Sequence, residues 1–161
     1  MMINKSITDR IEIADKAEIY CYEISSKILF YPQSKLLINF SGDKVLRTQL
    51  RNTMSNLLDY FLVNGRKGPI PEDEILLEVW EKKGLQASTH RLWQVSRDLN
   101  YKLKILGLTD MLFGKIYRKR HYFINYTIVV PLYINKEQES FKYFQRKSST
   151  VGITKKETWI I

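Results

Sequence analysis

Cysteine is nearly absent from this sequence. Cys21 stands alone among 161 residues, which excludes an internal disulfide and any cysteine-based zinc site. Its setting, Tyr20-Cys21-Tyr22, is strand-like and marks a small buried hydrophobe rather than a nucleophile. Histidine is equally scarce: neither His90 nor His121 has a carboxylate or cysteine partner at ligand spacing, so no metal and no cofactor is expected. Long hydrophobic runs are also missing. The longest, Tyr126 to Ile134, is too short to cross a bilayer and contains Pro131. The stretch Met1 to Asp15 is polar and lacks the apolar core of a signal peptide. These absences argue against a membrane partner and for a cytoplasmic chain.

What is present is positive charge. The formal net charge is +9, which favours an anionic partner: nucleic acid, an acidic membrane surface or an acidic protein. The hydrophobic and charged fractions, 44% and 27%, are those of a globular chain, so packing arguments apply to most of it. Its length suits one ordinary domain, or one of about 100 residues with attached segments, and leaves no room for a second catalytic domain.

Tyr20 to Ile24, Ile28 to Tyr31 and Leu36 to Phe40 are short runs of β-branched, aromatic and leucine residues. They are separated by Ser25-Ser26, Pro32-Gln33-Ser34 and Ser41-Gly42-Asp43, the spacing of an antiparallel meander. Leu50, Met54, Leu57, Leu58, Phe61 and Leu62 then recur at helical steps, and Asn64-Gly65 predicts a left-handed helix end. Pro71 followed by Glu72, Asp73 and Glu74 starts a second helix, its acids meeting the positive end of the helix dipole; its apolar face is Ile75, Leu76, Val79 and Trp80. After the loop Glu81 to Ala87, Ser88 or Thr89 caps a third helix with a stripe of Leu92, Val95, Leu99, Leu103 and Leu106, ended by Gly107. Leu112 to Tyr117 and His121 to Ile124 flank Arg118-Lys119-Arg120 as a hairpin with a basic tip. Beyond Asn125 lie an apolar segment, a short amphipathic helix over Lys136 to Lys147 and a Ser/Thr/Lys-rich end. The expected organisation is an N-terminal segment (1–19), a domain (20–125) and a C-terminal extension (126–161). The fold class is α+β: an N-terminal antiparallel sheet, three helices and a C-terminal hairpin.

From Thr89 to Tyr122 there are eight basic residues against two acids, so about two-thirds of the net charge lies in a fifth of the chain. On a wheel of about 100° per residue, His90, Trp93, Gln94, Arg97, Tyr101 and Lys104 lie opposite the leucine stripe of the third helix. Arg, Gln and aromatic groups are the ones that read base edges in the major groove. A solvated polar face explains the charges, but it would seldom carry two large aromatics. With Thr89 at the helix start, these residues and Arg118, Lys119 and Arg120 form the candidate DNA-binding set.

The passage from Ile28 to Ile124 resembles the OmpR/PhoB-type winged-helix domain, and within it the ToxR-like branch of transcriptional regulators. The likeness rests on Leu58-Asp59-Tyr60-Phe61-Leu62-Val63-Asn64-Gly65-Arg66, then Pro71 to Leu76, then Val79-Trp80. It continues in Leu99-Asn100-Tyr101-Lys102-Leu103, and in Ile116-Tyr117-Arg118-Lys119-Arg120-His121-Tyr122 at the wing. Two positions depart from the family pattern: His121 where the family favours glycine, and Asp98 where relatives often hold a base. The resemblance implies a winged helix-turn-helix reading double-stranded DNA in bacterial transcription regulation. Residues 89–106 would enter the major groove, and the wing, 113–124, would lie on the backbone or minor groove, often in head-to-tail homodimers. It also implies that Glu81, Lys82 and Lys83, between the second and third helices, can touch RNA polymerase. The family's phosphoacceptor domain and membrane helix have no counterpart in the sequence.

Other functional classes find less support in the residues. Glu74 and Glu78 share a helical face and could hold a metal for nuclease chemistry, but solvated helix-start acids explain them; no enzyme is expected. Asn64-Gly65-Arg66-Lys67-Gly68 lacks the P-loop pattern. RNA binding has no ribonucleoprotein motif to support it. The main alternative is a winged-helix module that docks or dimerises with protein through 126–147.

Overall fold

The computed structural model describes residues 17–135. Within them, Tyr20–Leu132 forms one compact unit. The predicted amphipathic helix at 136–147 and the Ser/Thr/Lys-rich end lie outside the described residues.

Four short strands, β1 (Ala17–Ile24), β2 (Ile28–Tyr31), β3 (Leu36–Asn39) and β4 (Leu46–Gln49), are followed by helix α1 (Asn52–Asn64). Then come β5 (Ile70–Pro71), α2 (Glu72–Val79), α3 (Thr89–Ile105), the hairpin β6 (Phe113–Ile116) and β7 (His121–Ile124), and β8 (Val129–Asn135). The strands form a five-stranded sheet, β4-β3-β2-β1-β8, and a three-stranded one, β5-β7-β6. The fold is therefore α+β, with an N-terminal antiparallel sheet, three helices and a C-terminal hairpin in a winged-helix arrangement.

Strands β1 to β3 and the three helices form because their apolar residues recur at the period that hides them. Cys21, Tyr22 and Ile24 of β1, Ile28 and Phe30 of β2 and Leu37 of β3 are buried, and Ser25 and Ser26, both at φ 54°, make the tight turn between β1 and β2. Burial pushes the Cys21 thiol above its ordinary value, with Glu23 adding to the effect. Asn39 is a buried polar residue in β3 whose amide donates to the Leu106 carbonyl, so a polar group in the sheet satisfies the end of α3. In the helices the core is Leu57, Leu58, Phe61 and Leu62 of α1, Ile75 and Val79 of α2 with Trp80, and Leu92, Leu99 and Leu103 of α3 with Leu106. Phe61 meets Phe113 at 4.9 Å and Tyr122 at 5.6 Å between ring centroids, which seats the hairpin on α1.

Gly65 corrects one expectation. It has φ −69°, so α1 continues right-handed into a 3-10 turn over Gly65–Lys67, and the positive φ falls at Gly68, 133°. Glycine is needed at 65 for space: a Cβ there would come within 2.1 Å of the Ile124 side chain. Pro71 precedes α2 as its cap residue and pairs with His121 in β5–β7, instead of opening the helix. Strands β4, β5 and β8 were not anticipated. In β4 three of the four residues are exposed, so it carries no apolar alternation and exists through its register with β3, Leu36 against Gln49 and Asn39 against Leu46.

Gly65→Ala should destabilise the protein by about 1–3 kcal/mol through overpacking. In an Ile124→Ala background the same change should cost clearly less, as measured by urea unfolding of the four proteins of the cycle.

Candidate nucleic-acid interface

Helix α3 begins at a working cap. The Ser88 side chain accepts from the Arg91 N–H at 3.1 Å, and the helix stops where Gly107 turns left-handed at φ 98°. Between these points the leucine stripe is inside, Val95 is half-buried and Ser96 joins the buried side. The opposite face is outside: Thr89, His90, Trp93, Gln94, Arg97, Tyr101 and Lys104 are all exposed. For the two aromatics the degree of exposure decides the matter, since 41% for Trp93 and 65% for Tyr101 place neither in the core.

Trp93 is also held. The His90 ring stacks on it at 5.9 Å and 24°, and the Arg97 guanidinium lies 4.8 Å from its centroid. The spacing 90, 93, 97 sets the three side chains on one line along the helix, and a cation over an indole face is worth about 0.5–1 kcal/mol at an exposed site. A planar, cationic stack thus stands in solvent on the face of α3 that the core does not use.

The hairpin presents its own cations differently. Its tip is a 3-10 turn, Tyr117–Lys119, followed by Arg120 in the left-handed region at φ 51°. The conformation for which glycine is favoured therefore falls at 120, so His121 is no obstacle; its ring contacts the Lys119 carbonyl. Arg118 and Lys119 are exposed. Arg120 is partly engaged: its guanidinium lies 3.3 Å from a Glu72 oxygen, and its carbonyl accepts from the Glu72 N–H at 2.9 Å. Glu72 does more than meet the dipole of α2. It is 1% exposed and is also paired with Lys115 at 2.7 Å. Burial pushes its carboxyl up, but hydrogen bonds from Lys115, Thr89 and Arg120, and the charge of Lys115, outweigh that and hold it below the usual glutamate value.

One carboxylate therefore joins α2, the hairpin and the first residue of α3. Beside it, α3 and the hairpin share a groove with Trp93, Arg97 and Asn100 on the helix side and Lys115, Tyr117 and Phe123 on the other. Lys115 and Tyr117 were not among the expected site residues. Tyr117 is 72% exposed, and the ammonium of Lys115 lies 5.5 Å from its ring centroid. Tyr122, by contrast, is buried and belongs to the packing of the hairpin. Its hydroxyl is pushed up by burial above all.

Other expected residues lie apart from this groove. Glu81, Lys82 and Lys83 form an exposed 3-10 turn after α2, tied down where the Lys83 and Leu85 N–H groups both donate to the Trp80 carbonyl at 3.0 Å. Lys82 pairs with Glu78, and Glu74 accepts from the Tyr60 hydroxyl, so these two acids are engaged with protein groups. Among the described residues no group of three or more His, Cys, Asp or Glu could hold a metal ion, and no helix is long and apolar enough to cross a membrane. The sequence matches no protein-family model and no curated protein.

The Glu72 contacts yield a prediction with a definite sign. A carboxyl held below its unfolded value contributes stability that is complete above the ordinary range, near pH 4.3, and is lost as pH falls through the lowered value. Glu72→Gln should flatten the acid limb of a stability–pH profile measured by urea unfolding between pH 3 and 6. Glu72→Ala at pH 7 should cost toward the lower end of the roughly 3–5 kcal/mol for breaking a buried pair, because Arg120 keeps access to water.

Proposed function

We propose that this protein binds double-stranded DNA sequence-specifically and regulates transcription as an OmpR/PhoB-type winged helix of the ToxR-like branch. Residues 89–106 lie in the major groove and the wing, 113–124, on the backbone or minor groove. The observation that carries this reading is the exposed His90–Trp93–Arg97 stack on the outer face of α3, alongside a groove whose other wall holds Lys115 and Tyr117. Such a stack can exchange its water for a base-pair edge, the guanidinium donating to guanine O6 and N7 and the indole face meeting a thymine methyl. Arg97, Gln94 and Tyr101 carry the base preference, His90, Thr89 and Lys104 support it, and Arg118 and Lys119 hold phosphates. Arg120 contributes less, because Glu72 shares its charge.

The site binds rather than reacts, and we assign no enzymatic activity, cofactor or metal. On this reading of a bacterial regulator, the protein acts in the cytoplasm. The resemblance further suggests head-to-tail homodimers and a contact of RNA polymerase with Glu81, Lys82 and Lys83. A second reading, protein docking through 126–147, draws on Val130 of β8, which is 49% exposed.

Duplexes selected from a random pool with the purified protein separate the two. Binding should weaken steeply as salt rises from about 50 to 200 mM, whereas a docking module would hold duplex poorly at every salt. Arg97→Ala or Gln94→Ala should cost about 1–3 kcal/mol on the selected sequence and relax base preference. Replacing Arg118 and Lys119 together by Ala should weaken all duplexes alike in a gel-shift titration; unchanged affinity would remove the wing from the account.

A further inference from the structure

The exposed face of α3 has two flanks, and the hairpin occupies only one. Trp93 and Asn100 lie on the hairpin side. On the opposite flank Asp98, Lys102 and Ile105 line a second groove, of about 420 Å³, whose far wall is made by Arg47 of β4 and Arg51 at the start of α1. Tyr101 also lines it and belongs to the outer face itself, so groove and face are continuous. Among the described residues Asp98 is the one acid lining this groove, and it meets Arg97 at 3.4 Å in a solvent-exposed pair. Arg47 and Arg51 are exposed.

We infer that Arg47, Arg51 and Lys102 form a second phosphate-binding rail, which holds the DNA strand on the side of α3 away from the wing. The inference rests on the duplex reading above and extends it: a helix lying in a major groove has a sugar-phosphate strand along each of its flanks, and one wing reaches only one strand. The chemistry of the groove suits such a strand. Cations at its rim meet phosphates, while the apolar wall, with Leu46 at 46% and Ile105 at 59% exposed, suits the apolar faces of deoxyribose. Phosphate contacts carry no base information, so the rail adds affinity and orientation without preference. An acidic protein segment would find the same charges, and the test separates it.

The experiment compares the full chain with Arg47→Ala/Arg51→Ala, and with Arg66→Ala/Lys67→Ala as a control for net charge. The control pair lies on the turn beside Ile124, at the end of the hairpin away from its tip. The readout is the slope of log Kd against log salt on a selected duplex and on a scrambled one. Losing two phosphate contacts should reduce the slope by about 1.8, equally on both duplexes, with base preference and thermal melting unchanged. Arg47→Gln/Arg51→Gln should reproduce the effect while preserving more side-chain bulk. A slope equal to that of the unmodified protein, or an equal loss in the Arg66/Lys67 control, overturns the rail. If the wing variant still loses slope in that case, the duplex reading survives. Duplex binding by the unmodified protein that is weak and insensitive to salt overturns both.

Discussion

A carboxylate buried to 1% exposure must be met by cations and hydrogen-bond donors or it would not ionise, and Glu72 is met from three directions. Lys115 comes from β6, Arg120 from the end of the hairpin turn and Thr89 from the first turn of α3. The Glu72 N–H, at the start of α2, adds a bond to the Arg120 carbonyl. The two basic elements of the chain therefore do not vary independently. The start of the helix and the tip of the hairpin are fixed to one group, which also consumes part of the hairpin's charge. Breaking that group would leave two cations near each other with no anion between them, so the same contact sets both the position of the wing and the strength of its field.

On this frame α3 works with two faces. Its inner stripe belongs to a core shared with α1 and α2, which leaves the outer face free of structural duty. On that outer face the stacking of His90 and Arg97 on Trp93 restrains long side chains that would otherwise lose rotamer freedom on meeting a ligand. The two flanking grooves extend the surface sideways, one toward Lys115 and Tyr117, the other toward Arg47 and Arg51. In the proposed complex, the centre supplies base contacts and the flanks supply phosphate contacts, so preference and salt dependence reside in different residues.

The helices were legible because apolar residues at steps of three and four bury one face, and the cap, open in the sequence between Ser88 and Thr89, and the stop at Gly107 have local causes. The outer-face residues were legible for the same reason: they are what the stripe leaves over. What escaped the sequence depends on partners distant in the chain. Strand β4 is defined by β3 and not by its own pattern. Gly65 answers to Ile124 rather than to the helix end, and the burial of Glu72 is decided by Lys115, which lies in a different element. Arg47, in a strand without apolar alternation, and Arg51, at the start of α1, entered the candidate interface only because the fold brings both beside α3.

The account's central claim is that the outer face of α3 and both of its flanks meet one duplex together. It is tested most directly by adding a selected duplex to the isotope-labelled protein and following backbone and side-chain NMR signals. The account expects shifts at Trp93, Arg97 and Tyr101, at Lys115 to Lys119 and at Arg47 to Arg51, saturating at a single duplex concentration. Shifts confined to α2, the 81–83 turn or β8, with the Trp93 indole signal unmoved, would contradict it.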